Sequence, residues 1–168
     1  MRVALLTVSD SAAAGQQADL SGPLMRELVG SAGGEVVRAD VLPDDRERIA
    51  SWLRRIADEG AVDLVLTSGG TGLAPRDVTP EATRDVLDRE APGIAEALRA
   101  AGLAKTPRAM LSRGVAGLRG RTLIVNLSGS PKAVREQWEA FLPALRHAID
   151  TVRGAGAHPD TDAARRGA

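Results

Sequence analysis

The sequence predicts an α/β fold, a three-layer αβα sandwich in which a mainly parallel sheet carries helices on both faces. Three observations predict it. Four apolar runs, Val3–Val8, Glu35–Leu42, Val62–Thr67 and Thr122–Leu127, have strand length, and the first and third are almost continuously apolar, as strands covered on both sides are. Amphipathic helical patterns separate the runs, and right-handed crossovers turn such an order into parallel strand pairs. Each run also leads into a polar turn, and parallel strands bring those turns to one edge of the sheet, where ligands of such folds bind.

The first run, Val3–Val8, leads into Ser9-Asp10-Ser11. A loop rich in Gly, Ala and Gln then reaches Asp19-Leu20-Ser21-Gly22, and reads as mobile surface unless a ligand orders it. Pro23 suits a first helical position, and Leu24, Met25, Leu28 and Val29 form that helix's apolar stripe. After Glu35–Leu42, Asp44 and Asp45 fit an N-cap and first-turn acid for a helix whose stripe is Ile49, Trp52, Leu53 and Ile56. Val62–Thr67 enters Ser68-Gly69-Gly70-Thr71-Gly72 and a Pro-Arg-Asp turn. Thr79 then reads as an N-cap and Pro80 as the first residue of a helix stopping near Ala91. Pro92-Gly93 interrupts it, and a second short helix runs to about Ala101.

Pro107–Leu118 is ambiguous, with Ala109, Leu111 and Arg113 alternating as in a short extended segment. Thr122–Leu127 ends in Ser128-Gly129-Ser130-Pro131, where Ser130 fits an N-cap. Val134, Trp138, Phe141, Leu145, Ile149 and Val152 mark a last long helix, which Pro143 should kink or split. One domain, residues 1–153, and a flexible tail, 154–168, complete the expectation, with no internal repeat.

Composition excludes several classes of function. At 168 residues the chain suits one domain that buries about 70% of its extended-chain surface. Aromatic residues are only 2%, namely Trp52, Trp138 and Phe141, so the stacking platforms that hold single-stranded bases are missing. Twenty-two basic and 22 acidic residues cancel, leaving no global field to attract DNA, RNA or anionic lipid. With no cysteine, a disulfide, a thiolate nucleophile or a Cys-based zinc site cannot form. Only His147, on the last helix as a solvated or core-edge residue, and His158, in the tail, supply imidazole. No signal-peptide pattern opens the chain, and no apolar run approaches the roughly 20 residues of a membrane span. A cytoplasmic protein with no nucleic-acid or membrane partner is the expectation.

The stretch Leu66 to Thr83, LTSGGTGLAPRDVTPEAT, carries most of the chemistry. Gly69, Gly70 and Gly72 leave backbone N–H groups free to approach an anion, and Ser68 and Thr71 add hydroxyl donors. Asp77 in the same loop is either a turn-former or a ligand that holds a divalent cation against that anion. The Ser130-Pro131-Lys132 helix start is both a cap and a natural phosphate site. Ser112 and Arg113 carry no signal of their own.

Taken in order, TVSDS, DLSGP, LPDD, LTSGGTGLAPRDVTPEAT, AMLSRG and NLSGSPKAV resemble the motifs of the molybdopterin-binding family of molybdenum-cofactor biosynthesis, specifically its molybdopterin adenylyltransferases. The resemblance spans roughly Val3 to Val152, and the long central motif is the specific one. It implies a mixed, mainly parallel sheet and a magnesium-dependent reaction. In that reaction the terminal phosphate of molybdopterin attacks the α-phosphate of ATP, giving adenylyl-molybdopterin and pyrophosphate.

By motif position, Asp44 and Asp77 match the family's two acids for metal binding and turnover, which sets the N-cap reading of Asp44 aside. Ser112 matches the serine of the MLSR segment near the bound pterin-nucleotide, and the GGTG loop and SGSP turn match ligand-binding loops. The substrate-binding candidates are therefore Ser9, Asp10, Ser68, Gly69, Gly70, Thr71, Gly72, Ser112, Arg113, Ser128, Gly129, Ser130 and Lys132, with Arg76, Arg113 and Lys132 as phosphate partners. Such chemistry needs positioning and charge neutralisation, not a covalent nucleophile.

The resemblance further implies a homotrimer or higher symmetric homo-oligomer. Ser128 stands where the family usually has proline, a departure expected to loosen that loop. The fused molybdenum-insertion domain of some relatives is not expected here, so the expectation is that metal insertion falls to a separate protein. The alternative is a non-catalytic molybdopterin carrier or assembly protein of the same pathway, which would have no need of the paired acids.

Overall fold

The elements run β1 (Arg2–Val8), α1 (Asp10–Ala13), α2 (Ser21–Ser31), β2 (Glu35–Leu42), α3 (Arg46–Asp58), β3 (Leu64–Ser68), α4 (Thr79–Arg84), β4 (Arg89–Glu90), α5 (Pro92–Leu103), a 3-10 helix (Pro107–Leu111), β5 (Ala116–Arg119), β6 (Thr122–Leu127) and α6 (Pro131–Val152). This is the order in a computed structural model that describes residues 1–154; the expected tail and His158 otherwise lie outside the described residues.

Alternation along the strands divides the core in two. In β1, Val3 and Leu5 face one apolar cluster while Ala4, Leu6 and Val8 face another. β3 and β6 repeat the division, with Leu64, Leu66, Leu123, Val125 and Leu127 on the first side and Val65 and Ile124 on the second. A strand buried on both faces has no polar side to show, hence the continuous apolar runs. Met25 of α2, Leu98 of α5 and Trp138 of α6 close the first cluster, and Ile49, Trp52 and Leu53 of α3 with Ala82 of α4 close the second.

All six strands join one sheet, ordered β2-β1-β3-β6-β5-β4. β1, β2, β3 and β6 pair in parallel, whereas β5 pairs antiparallel with both of its neighbours, β6 and β4. The predicted three-layer, mainly parallel but mixed sheet is the one observed. Because β1 lies between β2 and β3, the chain leaves it in opposite directions along the sheet. That switch point opens a crevice at the carboxyl ends of β1 and β3.

Several local expectations are corrected. The helix expected to run from Pro80 to Ala91 stops at Arg84, and Arg89–Glu90 pair with β5 instead. The Asp88 and Ala91 amides donate to the Leu118 and Ala116 carbonyls, so cross-strand pairing replaces further helix turns. Pro107–Leu118 is not one extended segment but a 3-10 turn followed by β5. Thr79 is not an N-cap: Val78 holds that position, and no side chain caps the helix. Asp45, not Asp44, caps α3, accepting the Arg48 amide at 3.0 Å. α2 starts at Ser21, two residues before Pro23.

α6 is not split at Pro143. Pro143 and Glu139 both lie on the exposed side, so the carbonyl that Pro143 leaves without a donor faces water. Ser130 does cap α6, accepting the Ala133 amide at 3.3 Å. His147 is exposed, as expected.

Candidate active site

Glycine lets three loop backbones meet at the crevice. Gly69 has φ +102°, and a Cβ there would collide with the Val8 carbonyl oxygen at the end of β1. A Cβ on Gly129 would stand 3.2 Å from the Gly69 Cα. Ser68 Oγ donates to the Ser128 carbonyl at 2.9 Å and Ser21 Oγ to the Gly129 carbonyl at 3.0 Å, lacing the ends of β3, β6 and α2 together. Side chains at these glycines would force the strand ends apart.

Two cavities adjoin at this point. One, of about 610 Å³, is lined by Ser9, Asp10, Asp44, Ser68, Gly69 and Arg76 among others. The second, of about 590 Å³, is lined by Thr71, Gly72, Ser112, Ser128, Ser130 and Lys132 among others. Gly70, Asp77 and Gly129 belong to both walls. The fold thus gathers every sequence-predicted site residue except Arg113 onto two joined cavities. A larger groove of about 940 Å³ between α2 and β2 receives none of these loops except through Asp19 and Gly22.

The acids sit at the junction. The Asp10 amide donates to Asp44 Oδ2 at 3.2 Å, and the Asp44 amide returns a bond to Asp10 Oδ1 at 2.9 Å, tying the loops after β1 and β2 together. Asp77 Oδ2 accepts the Ala74 amide at 3.0 Å, so the turn-forming role is real, but it uses one oxygen only. Among the described residues the other oxygen of each carboxylate has no hydrogen-bond partner. Burial raises the Asp44 carboxyl above its ordinary range; the Asp10 amide opposes this, the Asp10 and Asp77 charges add to it, and Arg76 pulls back.

Arg76 offsets only part of the negative charge that Asp10, Asp44 and Asp77 gather here. Among the described residues no group of three or more Asp, Glu, His or Cys is placed to hold a metal. Two carboxylates, each accepting only one backbone amide, keep lone pairs that fit Mg²⁺, which retains several waters and completes its shell with substrate phosphate oxygens.

Arg113 is placed differently from the rest. Its Nε donates to the Gly72 carbonyl at 2.6 Å, its Nη2 to the Asp77 carbonyl at 2.5 Å, and its Nη1 to Glu81. Its amide bonds the Thr71 carbonyl at 2.9 Å. The guanidinium is spent on fastening the loop 71–77, which among the described residues leaves Lys132, Arg76 and Arg108 as the cations lining the cavities.

Ser128 does not loosen its turn. Its amide donates to Gln137 Oε1 at 2.8 Å and its Oγ accepts from Gln137 Nε2 at 3.1 Å, anchoring the turn to α6. The loop after Ser9 is also fixed. Ser9 caps α1, and Asp19 accepts Thr7 Oγ1 at 2.9 Å together with the Ser21 and Gly22 amides at 3.0 and 2.9 Å. Asp19, Glu81 and Gln137 were not singled out from the sequence. For Asp19 the signal was available, since Asp two residues before Ser-Gly is an Asx-turn pattern.

Comparison with known proteins bears on this geometry. Residues 4–147 match the family model described as a probable molybdopterin binding domain. The molybdopterin adenylyltransferase of Helicobacter pylori strain J99 is 39% identical over 156 residues, which is 92% of this chain and 89% of that protein. The Drosophila melanogaster molybdenum cofactor synthesis protein cinnamon is 41% identical over 150 residues, 88% of this chain, but the match spans only 25% of that longer protein. The crystal structure of the molybdopterin biosynthesis enzyme MoaB from Thermus thermophilus superposes with TM-score 0.86 at 55% identity, covering 91% of this chain and 96% of that one.

Proposed function

This chain belongs to the molybdopterin-binding family of molybdenum cofactor biosynthesis, and from that we propose that it is a magnesium-dependent molybdopterin adenylyltransferase. The observation that supports this reading is the junction itself. Two cavities of similar size meet at Gly70, Asp77 and Gly129, with Asp44 beside Gly70, as a reaction joining two substrates requires.

ATP would occupy one cavity and molybdopterin the other, with the reacting phosphates at the shared wall. The Gly70–Gly72 backbone and the Lys132 amide at the start of α6 offer N–H groups to phosphate oxygens, and the Lys132 and Arg76 side chains add charge. Asp44 and Asp77 would hold Mg²⁺, which neutralises phosphate charge and orients the pyrophosphate leaving group. An oxygen of the molybdopterin phosphate then bonds to the α-phosphorus as the bond to pyrophosphate breaks. No covalent nucleophile of the protein takes part. A cytoplasmic location and a homotrimer or higher symmetric assembly belong to the same reading, and light scattering checks the second.

The test is pyrophosphate release from ATP that requires both molybdopterin and Mg²⁺. Asp77→Ala should abolish it while pterin binding, measured by fluorescence quenching, persists. Wild type that binds pterin and never releases pyrophosphate would make the chain a carrier and end the enzyme reading.

A further inference from the structure

The reading above leaves one buried group at the junction without a task. Thr79 is 0% exposed, and its Oγ1 has no hydrogen-bond partner among the described residues. It is not a helix cap. The neighbouring buried threonine on the same helix face is satisfied, since Thr83 Oγ1 donates to the Thr79 carbonyl at 2.8 Å and accepts from Asn126 Nδ2 at 2.9 Å. An unmade hydrogen bond in a dry site costs stability, and such orphans are uncommon in native structures.

The orphan is aimed at the active-site loop. The Thr79 amide donates to the Gly70 carbonyl at 3.1 Å, which pins the threonine behind that glycine. The point where a Gly70 Cβ would sit is 2.8 Å from Asp44 Oδ1 and closer still to Thr79 Oγ1. Gly70, at φ +63°, therefore leaves open the space between a hydroxyl without an acceptor and a carboxylate oxygen without a donor.

We propose that Thr79 is a positioning residue for Asp44: when Asp44 carries its cation, the carboxylate turns so that Oδ1 accepts the Thr79 hydroxyl hydrogen, locking the other oxygen towards the metal. A hydroxyl suits this task because it donates to a carboxylate without adding charge to a site that needs a cation. The inference rests on the cation-holding role of Asp44 and deepens it.

Thr79→Val keeps the shape and removes only the hydroxyl; Thr79→Ser keeps the hydroxyl. The experiment titrates Mg²⁺ at fixed ATP, reading the thermal midpoint, and measures pyrophosphate release in parallel samples that also contain molybdopterin. In Mg²⁺-free buffer Thr79→Val should melt at or above wild type, because a buried orphan is gone. It should need about tenfold more Mg²⁺ for the ATP-dependent rise in midpoint, the loss of one hydrogen bond to a charged group, and Thr79→Ser should restore the wild-type requirement. An unchanged Mg²⁺ requirement in Thr79→Val overturns the proposal, as does a large fall in midpoint for both variants in Mg²⁺-free buffer, which marks packing alone. Wild type without any Mg²⁺-dependent rise overturns it too. If the Mg²⁺ difference holds but wild type releases no pyrophosphate, the adenylyl-transfer reading fails and the role of Thr79 stands.

Discussion

Replacing Arg113 by methionine should unfasten the loop that carries Asp77. Methionine fills much of the space of the arginine stem, so the change isolates the guanidinium. Two bonds from it, to the Gly72 and Asp77 carbonyls at 2.6 and 2.5 Å, are charge-assisted. With the Arg113 side chain 33% exposed, each belongs at the low end of the range for bonds to charged groups, about 1.5 kcal/mol. The pair with Glu81 is also partly exposed, and contributes about 1 kcal/mol at most. The sum is about 3–4 kcal/mol. For a domain of this size each kcal/mol lowers the midpoint by about 2–4 °C, so the variant should melt about 10 °C below wild type. Arg113→Lys, a point charge without the planar fork, should recover less than half of that loss. Circular dichroism measures the midpoint, and pyrophosphate release should fall with it because the Asp77 carbonyl is one of the anchored groups. If the methionine variant melts within about 3 °C of wild type and only its KM rises, Arg113 is a substrate ligand and the clamp is wrong.

Gly70→Ala should both destabilise and inactivate. At φ +63° an alanine carries about 1–2 kcal/mol of backbone strain, and its Cβ meets Thr79 Oγ1 and Asp44 Oδ1; a lower thermal midpoint with loss of pyrophosphate release is expected. Acid titration should separate two kinds of carboxylate. Burial pulls Glu81 up, but its bond to Arg113 and that residue's charge hold it below its ordinary range. Asp63 is held down likewise, burial being outweighed by Arg153 and the Arg2 amide. Groups lowered by folding stabilise above their unfolded pKa, and that stability is lost as pH falls through the folded values. Urea melts from neutral pH down to about pH 3 should show this loss, reduced in Glu81→Gln. Asp44 is raised, so the sign reverses. Its native form takes up a proton first and gains stability as pH falls through the raised value, and Asp44→Asn should be more stable than wild type at neutral pH in Mg²⁺-free buffer.

The sheet was legible because β1, β3 and β6 are buried on both faces, which leaves almost continuously apolar runs such as Val3–Val8, whereas the edge strand β2 stays partly exposed. The meeting of loops at one rim followed from parallel pairing alone. What stayed illegible were elements whose conformation is set by a distant partner. Arg89–Glu90 lie in a stretch that locally reads as helix, and only pairing with Gly117 and Leu118 makes them a strand. Asp44 and Asp45 are chemically identical, so the choice of cap fell to the reciprocal bonds between Asp44 and Asp10, 34 residues away.

By itself the sequence determined the layers, the rim and the glycines on it, since these depend on alternation, turn chemistry and positive φ, all short-range properties of the chain. Tertiary structure alone decided that Arg113 serves the loop instead of facing the cavities, and that Thr79 is buried with an idle hydroxyl. Arg113 bonds groups 41, 36 and 32 residues away. A side chain's hydrogen-bonding partners are settled only when the packed backbone brings acceptors within its reach, and no local pattern encodes that distance.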